Sequence, residues 1–314
     1  MGTAHARQLP VSDPAVMLQK MSDAARTLNY SGTFIHSNAD STTTSRVTHL
    51  FDRGDEWERV ESIDGPRQET IRRNDEIYCF QPDSKTVRLD RRMTGKFFPS
   101  LVSGTPDIIL ANYKLRLGKV ERIGGHDCQW VILEPKDALR FLQKLCAEVQ
   151  TGLLMRAKTL NERGQIVEQF SFTQLLVGKA ALREAGLSQL KARVAQKEPG
   201  WQTDDAAHKG VKVGDTGWWV QSPPIGFRLI TELKRTMPGK TEPVSHLVFS
   251  DGLAAISVFI EPLGAKSAGF SRAGEEGMVS YAMRSVGNHQ VTVLGEVPVS
   301  TAQSLANNVA ARNR

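Results

Sequence analysis

Residues 46–63 read RVTHLFDRGDEWERVESI, and this stretch decides the fold. Arg46–Phe51 has the grammar of a strand, Asp52-Arg53-Gly54-Asp55 turns the chain, and Trp57–Ile63 continues as a second strand. Apolar and polar residues alternate on both sides of the turn, as they do in a sheet that buries one face. The pattern extends outward in both directions. Tyr30–His36 precedes it, joined by the polar run from Asn38 to Ser45. Asp64-Gly65-Pro66 follows it, then Glu69–Arg73 and Ile77–Phe80 around the two-residue hairpin Asn74-Asp75, then Lys85–Leu89. Consecutive strands joined by short turns pair antiparallel. Residues 90–106 interrupt the meander, which resumes at Tyr113–Val120, Cys128–Leu133, Leu142–Val149, Leu153–Leu160 and Ile166–Leu176.

A helix precedes the strands. Asp13 can accept hydrogen bonds from first-turn amides, and Pro14 suits the first helical position. Met17, Leu18, Met21, Ala24, Ala25 and Leu28 then form one apolar stripe, which predicts packing against the sheet. Composition shifts over residues 179–210, with a helical stretch near Leu182–Val194 followed by polar residues, which reads as a linker. Beyond it, Phe227–Leu233, Ser245–Ser250, Ala254–Glu261, Ser280–Met283 and Val291–Glu296 read as strands. A closing helix is expected from Ser300, with Gln303 at capping-box spacing and Ala302, Leu305, Ala306 and Val309 buried. The expected organisation is a large domain over residues 14–178, the linker, and a smaller α+β domain over residues 211–314.

The chain has 314 residues, long enough for two domains, and a formal net charge of +6, which favours anionic partners. No apolar run approaches the ~20 residues of a bilayer-spanning helix. The start, Met1-Gly2-Thr3, has no apolar export core behind it, so the chain reads either as cytoplasmic or as a mature domain without its signal. Cys79, Cys128 and Cys146 fit neither a CxxC motif nor a zinc site; they read as small buried hydrophobes, with pairing left open.

Catalytic signatures are missing. Adjacent residues of a strand point to opposite faces, so His126 and Cys128, with Asp127 between them, do not make a working pair. His36 and His49 could meet across a hairpin but supply too few ligands for a metal. Asp55, Glu56, Glu58 and Glu61 read as a solvated strand face. Nucleic-acid binding would need stacking aromatics beside a basic groove, and aromatics are only 7% of the chain. No catalytic residue, metal site or cofactor is expected, and the chain reads as a binding protein. A half-closed sheet encloses an apolar concavity. The loop over residues 91–101 suits a lid on it: Phe97, Phe98 and Leu101 would cover the cavity, and Arg91, Arg92 and Lys96 would meet phosphates at its rim.

An ordered set of short motifs points further. Met17-Leu18-Gln19-Lys20-Met21, Leu28-Asn29-Tyr30-Ser31-Gly32-Thr33-Phe34, Asp64-Gly65-Pro66-Arg67-Gln68-Glu69, Phe98-Pro99-Ser100-Leu101, Thr151-Gly152-Leu153-Leu154 and Glu168-Gln169-Phe170 lie in the first part. Pro224-Ile225-Gly226-Phe227, Phe249-Ser250-Asp251-Gly252-Leu253 and Gly295-Glu296-Val297-Pro298 lie in the second. With these motifs, over residues 14–311, the chain resembles the RseB/MucB family of periplasmic regulators of the sigma-E (AlgU-type) envelope stress response. The resemblance implies a large N-terminal antiparallel open β-barrel like those of LolA and LolB, with helices, and a smaller C-terminal α+β domain. It implies no enzymatic activity. It implies binding to the periplasmic domain of an anti-sigma factor (RseA/MucA-like), protection of that factor from site-1 proteolysis, and release by lipopolysaccharide or the acyl chains of mislocalised lipoprotein. It implies a periplasmic location, with the export signal already removed. Trp218, Trp219 and Phe227 are the candidate partner anchors, although the same residues also suit a core. A homodimer is among the states open to such a chain. The rival expectation is a periplasmic lipid or lipoprotein carrier with no regulatory partner, and the second domain argues against it. Lys136–Glu148 departs from the family pattern in being less aromatic and more helix-compatible.

Overall fold

A computed structural model describes residues 13–38, 40–91, 98–195, 200–205, 211–237, 242–263 and 270–312. Helix α1 (Pro14–Thr27) begins as its cap predicts, with the Ala15 amide donating to Asp13 Oδ1 at 2.8 Å. The meander follows as β1 (Tyr30–Asn38), β2 (Thr42–Asp52), β3 (Asp55–Ser62), β4 (Glu69–Arg73), β5 (Glu76–Gln81) and β6 (Thr86–Arg91). Its turns have local causes. Arg53 and Gly54 both adopt positive φ between β2 and β3, where Asp52 pairs with Asp55, as a two-residue hairpin requires. Asn74 also adopts positive φ, between the paired residues Arg73 and Glu76.

Helix α2 (Pro106–Asn112), which the sequence pattern does not announce, precedes β7 (Tyr113–Ile123), β8 (His126–Pro135), β9 (Leu142–Glu148), β10 (Leu154–Leu160) and β11 (Ile166–Val177). The helix-compatible stretch after Lys136 is thus a turn leading into a strand. β11 returns to pair with β1, so one sheet runs in the order β6-β5-β4-β3-β2-β1-β11-β10-β9-β8-β7. Among the described residues this sheet is open, with β7 unpaired at one edge, and no closed barrel forms. Cys128 and Cys146 are fully buried and joined as a disulfide between β8 and β9, with Cα atoms 5.6 Å apart; Cys79 is free.

Residues 179–205 depart from the linker reading. They form α3 (Lys179–Ala185), α4 (Leu187–Ala195) and β12 (Gln202–Asp204), and β12 extends the first sheet by pairing in parallel with β6. Gly186, at φ 49°, breaks the expected single helix in two. Leu190 packs with Leu50, Trp57, Ile71 and Phe80, so this segment covers a sheet face that would otherwise leave Trp57 and Phe80 in water.

The acidic face also differs from expectation. Glu58 is buried opposite Arg72, itself 3% exposed, and Glu56 lies 2.5 Å from the same guanidinium and 3.1 Å from His49 Nε2. Three strands thus bring their charges together, and a buried charge must be paired. Burial works against the Glu56 carboxylate, but hydrogen bonds from His49 and Arg72 hold its pKa at about 2. His36 does not meet His49; it pairs with Glu168 at 2.9 Å and stacks on Phe170.

The second core belongs to another sheet. β13 (Lys212–Val213), β15 (Arg228–Arg235), β16 (Val244–Ser250), β17 (Ala255–Pro262), β20 (His289–Gly295), β19 (Val279–Val286) and β18 (Ser271–Glu276) lie in that order. β14 (Trp218–Val220) pairs with β21 (Val309–Ala311) beside helix α5 (Val299–Asn307). Ala302, Leu305, Ala306 and Val309 are buried as the stripe predicts. The expected Ser300 cap is not formed: the helix starts at Val299, with Pro298 in the cap position and no side-chain cap.

Candidate apolar cavity and the junction beneath it

Alternation along the central strands of the first sheet sends Phe34, Leu145, Thr159 and Phe170 to one face, and there they line a cavity of about 200 Å³. Phe98 closes one side of it. Its ring stacks on Phe170 (centroids 5.1 Å apart) and tilts against Phe34 (5.2 Å) and Phe172 (4.9 Å). Leu101 completes that wall. Across the space lie Leu253, Met278 and Glu296, from the connections at the ends of the second sheet's strands; Leu253 packs into the first core. The polar groups at the wall are already engaged: Glu168 with His36, and Thr159, whose hydroxyl donates to Gln143 at 3.0 Å.

Below the cavity the two sheets are joined by buried polar contacts. Asp251, wholly buried, accepts hydrogen bonds at Oδ2 from Arg140 Nε (2.8 Å) and Tyr113 Oη (3.0 Å). Its Oδ1 accepts from the amides of Leu253 (2.9 Å) and Ala254 (2.6 Å). Arg140 also pairs with Asp137, donates to the Ile225 carbonyl at 2.7 Å, and lies over the Phe227 ring at 4.9 Å. Burial disfavours the Arg140 charge, but Asp251 and Asp137, with Tyr113, together outweigh it and raise its pKa. Burial and the Asp251 charge push Tyr113 well above the usual phenol range.

Glycines set the spacing. A Cβ on Gly226 would stand 2.0 Å from Asn112 Oδ1, and Gly226 holds φ 85°. The amides of Ser103 (3.1 Å) and Gly104 (3.0 Å) both donate to the Gly252 carbonyl, and a Cβ on Gly104 would lie 2.7 Å from Gly252 Cα. Two of the quoted motifs, around Gly226 and Asp251-Gly252, are therefore the second sheet's half of this junction. The Arg235–Asp90 ion pair (3.3 Å) is a further bridge between the sheets.

Of the expected lid, Phe98 and Leu101 line the cavity. Arg92, Lys96 and Phe97 lie outside the described residues, as does the side chain of Arg91, whose backbone ends β6. Of the expected anchors, Trp218 and Phe227 belong to the second core, 8% and 4% exposed; only Trp219, at 42%, faces solvent. Alternation along β14 turns Trp219 away from that core. The residues that sequence reading missed are Tyr113, Arg140 and Asp251. The available signals were an Arg in the apolar run ALRFLQKL and the place of Asp251 in a quoted motif.

Residues 13–196 match the MucB/RseB N-terminal domain and residues 212–310 the MucB/RseB C-terminal domain. The chain belongs to the MucB/RseB family. The sigma factor AlgU regulatory protein MucB of Pseudomonas aeruginosa is 32% identical over 94% of this chain and 90% of its own length. The sigma-E factor regulatory protein RseB of Escherichia coli is 25% identical over 98% of this chain and 93% of its own. A crystal structure of MucB in complex with MucA(peri) superposes with a TM-score of 0.73 and 28% identity, covering 96% of this chain and all of that one. A crystal structure of MucB superposes at 0.68, with 27% identity, over 96% of this chain and 99% of that one. Like these relatives, the chain is a mixed α+β protein, mostly sheet, and a regulatory protein rather than an enzyme. Among the described residues no helix is long and apolar enough to cross a membrane, and no group of His, Cys, Asp or Glu is placed to hold a metal.

Proposed function

We propose that this MucB/RseB family member is a periplasmic regulator. It binds the periplasmic domain of a membrane-anchored anti-sigma factor, shields it from the first protease, and lets go when an acyl chain of lipopolysaccharide or of a mislocalised lipoprotein enters the cavity. The partner follows from the relative solved with MucA(peri) and the length of chain it shares. The observation that carries the lipid response is the joint lining of the cavity by Phe98 and Leu101 on one side and Leu253 and Met278 on the other. A space of about 200 Å³ is small for a long acyl chain, so filling it pushes the two sheets apart or displaces the Phe98 wall. A ligand that prefers the displaced arrangement shifts the equilibrium by that preference alone.

Within this reading the first unit is a half-barrel of the LolA/LolB kind that takes the chain. Glu168 and Glu296 at the cavity wall repel phosphate, so the headgroup stays outside. Arg91, Arg92 and Lys96, with Phe97, precede Phe98 in sequence and are the groups proposed to meet it. The second unit and the cleft between the sheets supply the partner surface, with Trp219 as its exposed aromatic. Calorimetric titration with a recombinant anti-sigma periplasmic segment tests this, with and without lipopolysaccharide. Submicromolar binding weakened by the lipid is expected. Lipid uptake with no affinity for the segment would leave the carrier reading instead.

A further inference from the structure

The strands that line the cavity have a second face, and its charges are unbalanced. Leu145 and Thr159 point into the cavity, so Lys144 and Lys158 point away from it. Lys144 stands directly opposite Lys158 in the β9–β10 register. Arg156, two residues from Lys158, projects on the same side and donates from Nε to Ser171 Oγ at 3.0 Å. Lys158 lies over the Trp130 ring, 5.7 Å from its centroid. Like charges directly opposite on neighbouring strands destabilise a sheet.

Among the described residues none of the three cations forms an ion pair with a carboxylate, although Glu121 lies near enough to attract Lys158 and Arg156. The acids that share this face are already committed. Glu121 pairs with Lys119 at 2.8 Å, and Glu134 with Arg116 at 2.7 Å. Glu148 accepts from the Gln150 amide (3.1 Å), the Thr151 amide (2.6 Å) and the Thr151 hydroxyl (2.7 Å). Desolvation first, then the Arg156 charge, lower the Lys158 pKa; Glu121 acts against them, and Lys144 adds a smaller lowering. Most other buried or half-buried guanidinium groups differ. Arg59, Arg72, Arg140, Arg193 and Arg235 each have a carboxylate partner.

The cations also sit on a rigid, shallow plane. The Cys128–Cys146 disulfide ties β8 to β9 beside them, and Trp130 fills the space beneath Lys158 rather than offering a stacking platform. Cations spread on neighbouring strands, with apolar stems lying on an aromatic ring, suit phosphates arrayed in a plane rather than one enclosed anion.

We propose that this outer face of β8–β10, with Lys144, Arg156 and Lys158 at its centre, docks the protein on the anionic phospholipid surface of a bilayer. Docking there leaves the cavity, on the opposite face, open to its own ligand.

The test is co-sedimentation of the full chain with phosphatidylcholine vesicles containing or lacking phosphatidylglycerol. Binding is expected only with phosphatidylglycerol, and it weakens as salt is raised. The K144Q/R156Q/K158Q variant is expected to lose about tenfold or more in partitioning, since each surface cation contributes roughly a fivefold attraction. An R53Q/R67Q/R163Q variant, which removes equal charge from exposed turns elsewhere, is expected to stay within about threefold of the parent. K144R/K158R keeps the charge and should keep the binding. Lys144→Gln alone should raise the melting temperature, because it removes the cross-strand repulsion. The proposal is overturned if the two triple variants lose binding equally, or if phosphatidylglycerol makes no difference. It also fails if inorganic phosphate, at matched ionic strength, displaces the protein from vesicles, because the face would then hold a single small anion.

Discussion

Two contacts between the sheets are built in opposite ways. At the junction, Asp251, Arg140 and Tyr113 are buried and hydrogen-bonded to one another, and Gly226, Gly104 and Gly252 let the backbones approach closely. At the cavity apolar side chains, Phe34, Phe98, Leu101 and Leu253 among them, face empty space. A buried, directional network tolerates one arrangement, because any shift strands a charge. An apolar wall with a void beside it can be repacked at modest cost. The junction is thus suited to hold a pivot, and the cavity to respond to what enters it.

The largest expected effect comes from breaking the pivot. Asp251→Ala leaves Arg140 and Tyr113 buried without their shared acceptor and should cost about 3–5 kcal/mol in urea unfolding. A loss below about 1 kcal/mol would mean that water replaces the carboxylate and the junction is not rigid. Phe98→Ala comes next, at about 2–3 kcal/mol, since a nearly buried ring is removed beside space that already exists. It should also quicken uptake of a fluorescent fatty acid, whereas Asp251→Ala should not; equal uptake in both variants would erase the contrast between the regions. Gly226→Ala follows at about 1–3 kcal/mol, from a positive φ and a Cβ that meets Asn112. Thermal unfolding with one unchanged transition would show that the junction yields there.

The smallest effect concerns pH. His246 is buried in the second sheet, stacked on Phe259 with centroids 4.2 Å apart, and neither ring nitrogen has a hydrogen-bond partner among the described residues. Burial first, then the Arg235 charge, lower its pKa from 6.5 to about 4. The unfolded chain therefore takes up the proton first, and stability falls as the pH drops from about 6.5 through about 4. His246→Leu should flatten that slope in urea titrations at successive pH values. Because Arg235 bridges to Asp90, an unflattened slope would assign the acid sensitivity to the contact between sheets instead.

The meander could be read residue by residue because its causes are local. Alternation gives strands, and positive φ at Arg53, Gly54 and Asn74 gives two-residue turns. The α1 stripe and its Asp13 cap are equally local. The readings that failed concern faces rather than elements. Glu56 and Glu58 look solvated until Arg72 arrives from a neighbouring strand, and residues 179–205 look like a linker until Trp57 and Phe80 need cover. Trp218 and Phe227 suited an interface or a core, and the second sheet made them core.

By itself the sequence determined most of the strands, the first and last helices, where the hairpins of the meander turn, and, through its ordered motifs, the family. Those depend on backbone preferences within a few residues and on composition along the chain. Only the tertiary structure decided that Arg140 meets Asp251 across 111 positions, that Cys128 pairs with Cys146, and that Phe98 and Leu253 face one cavity. Such contacts join residues far apart in the chain, and no local pattern encodes the partner of a buried charge or the far wall of a void.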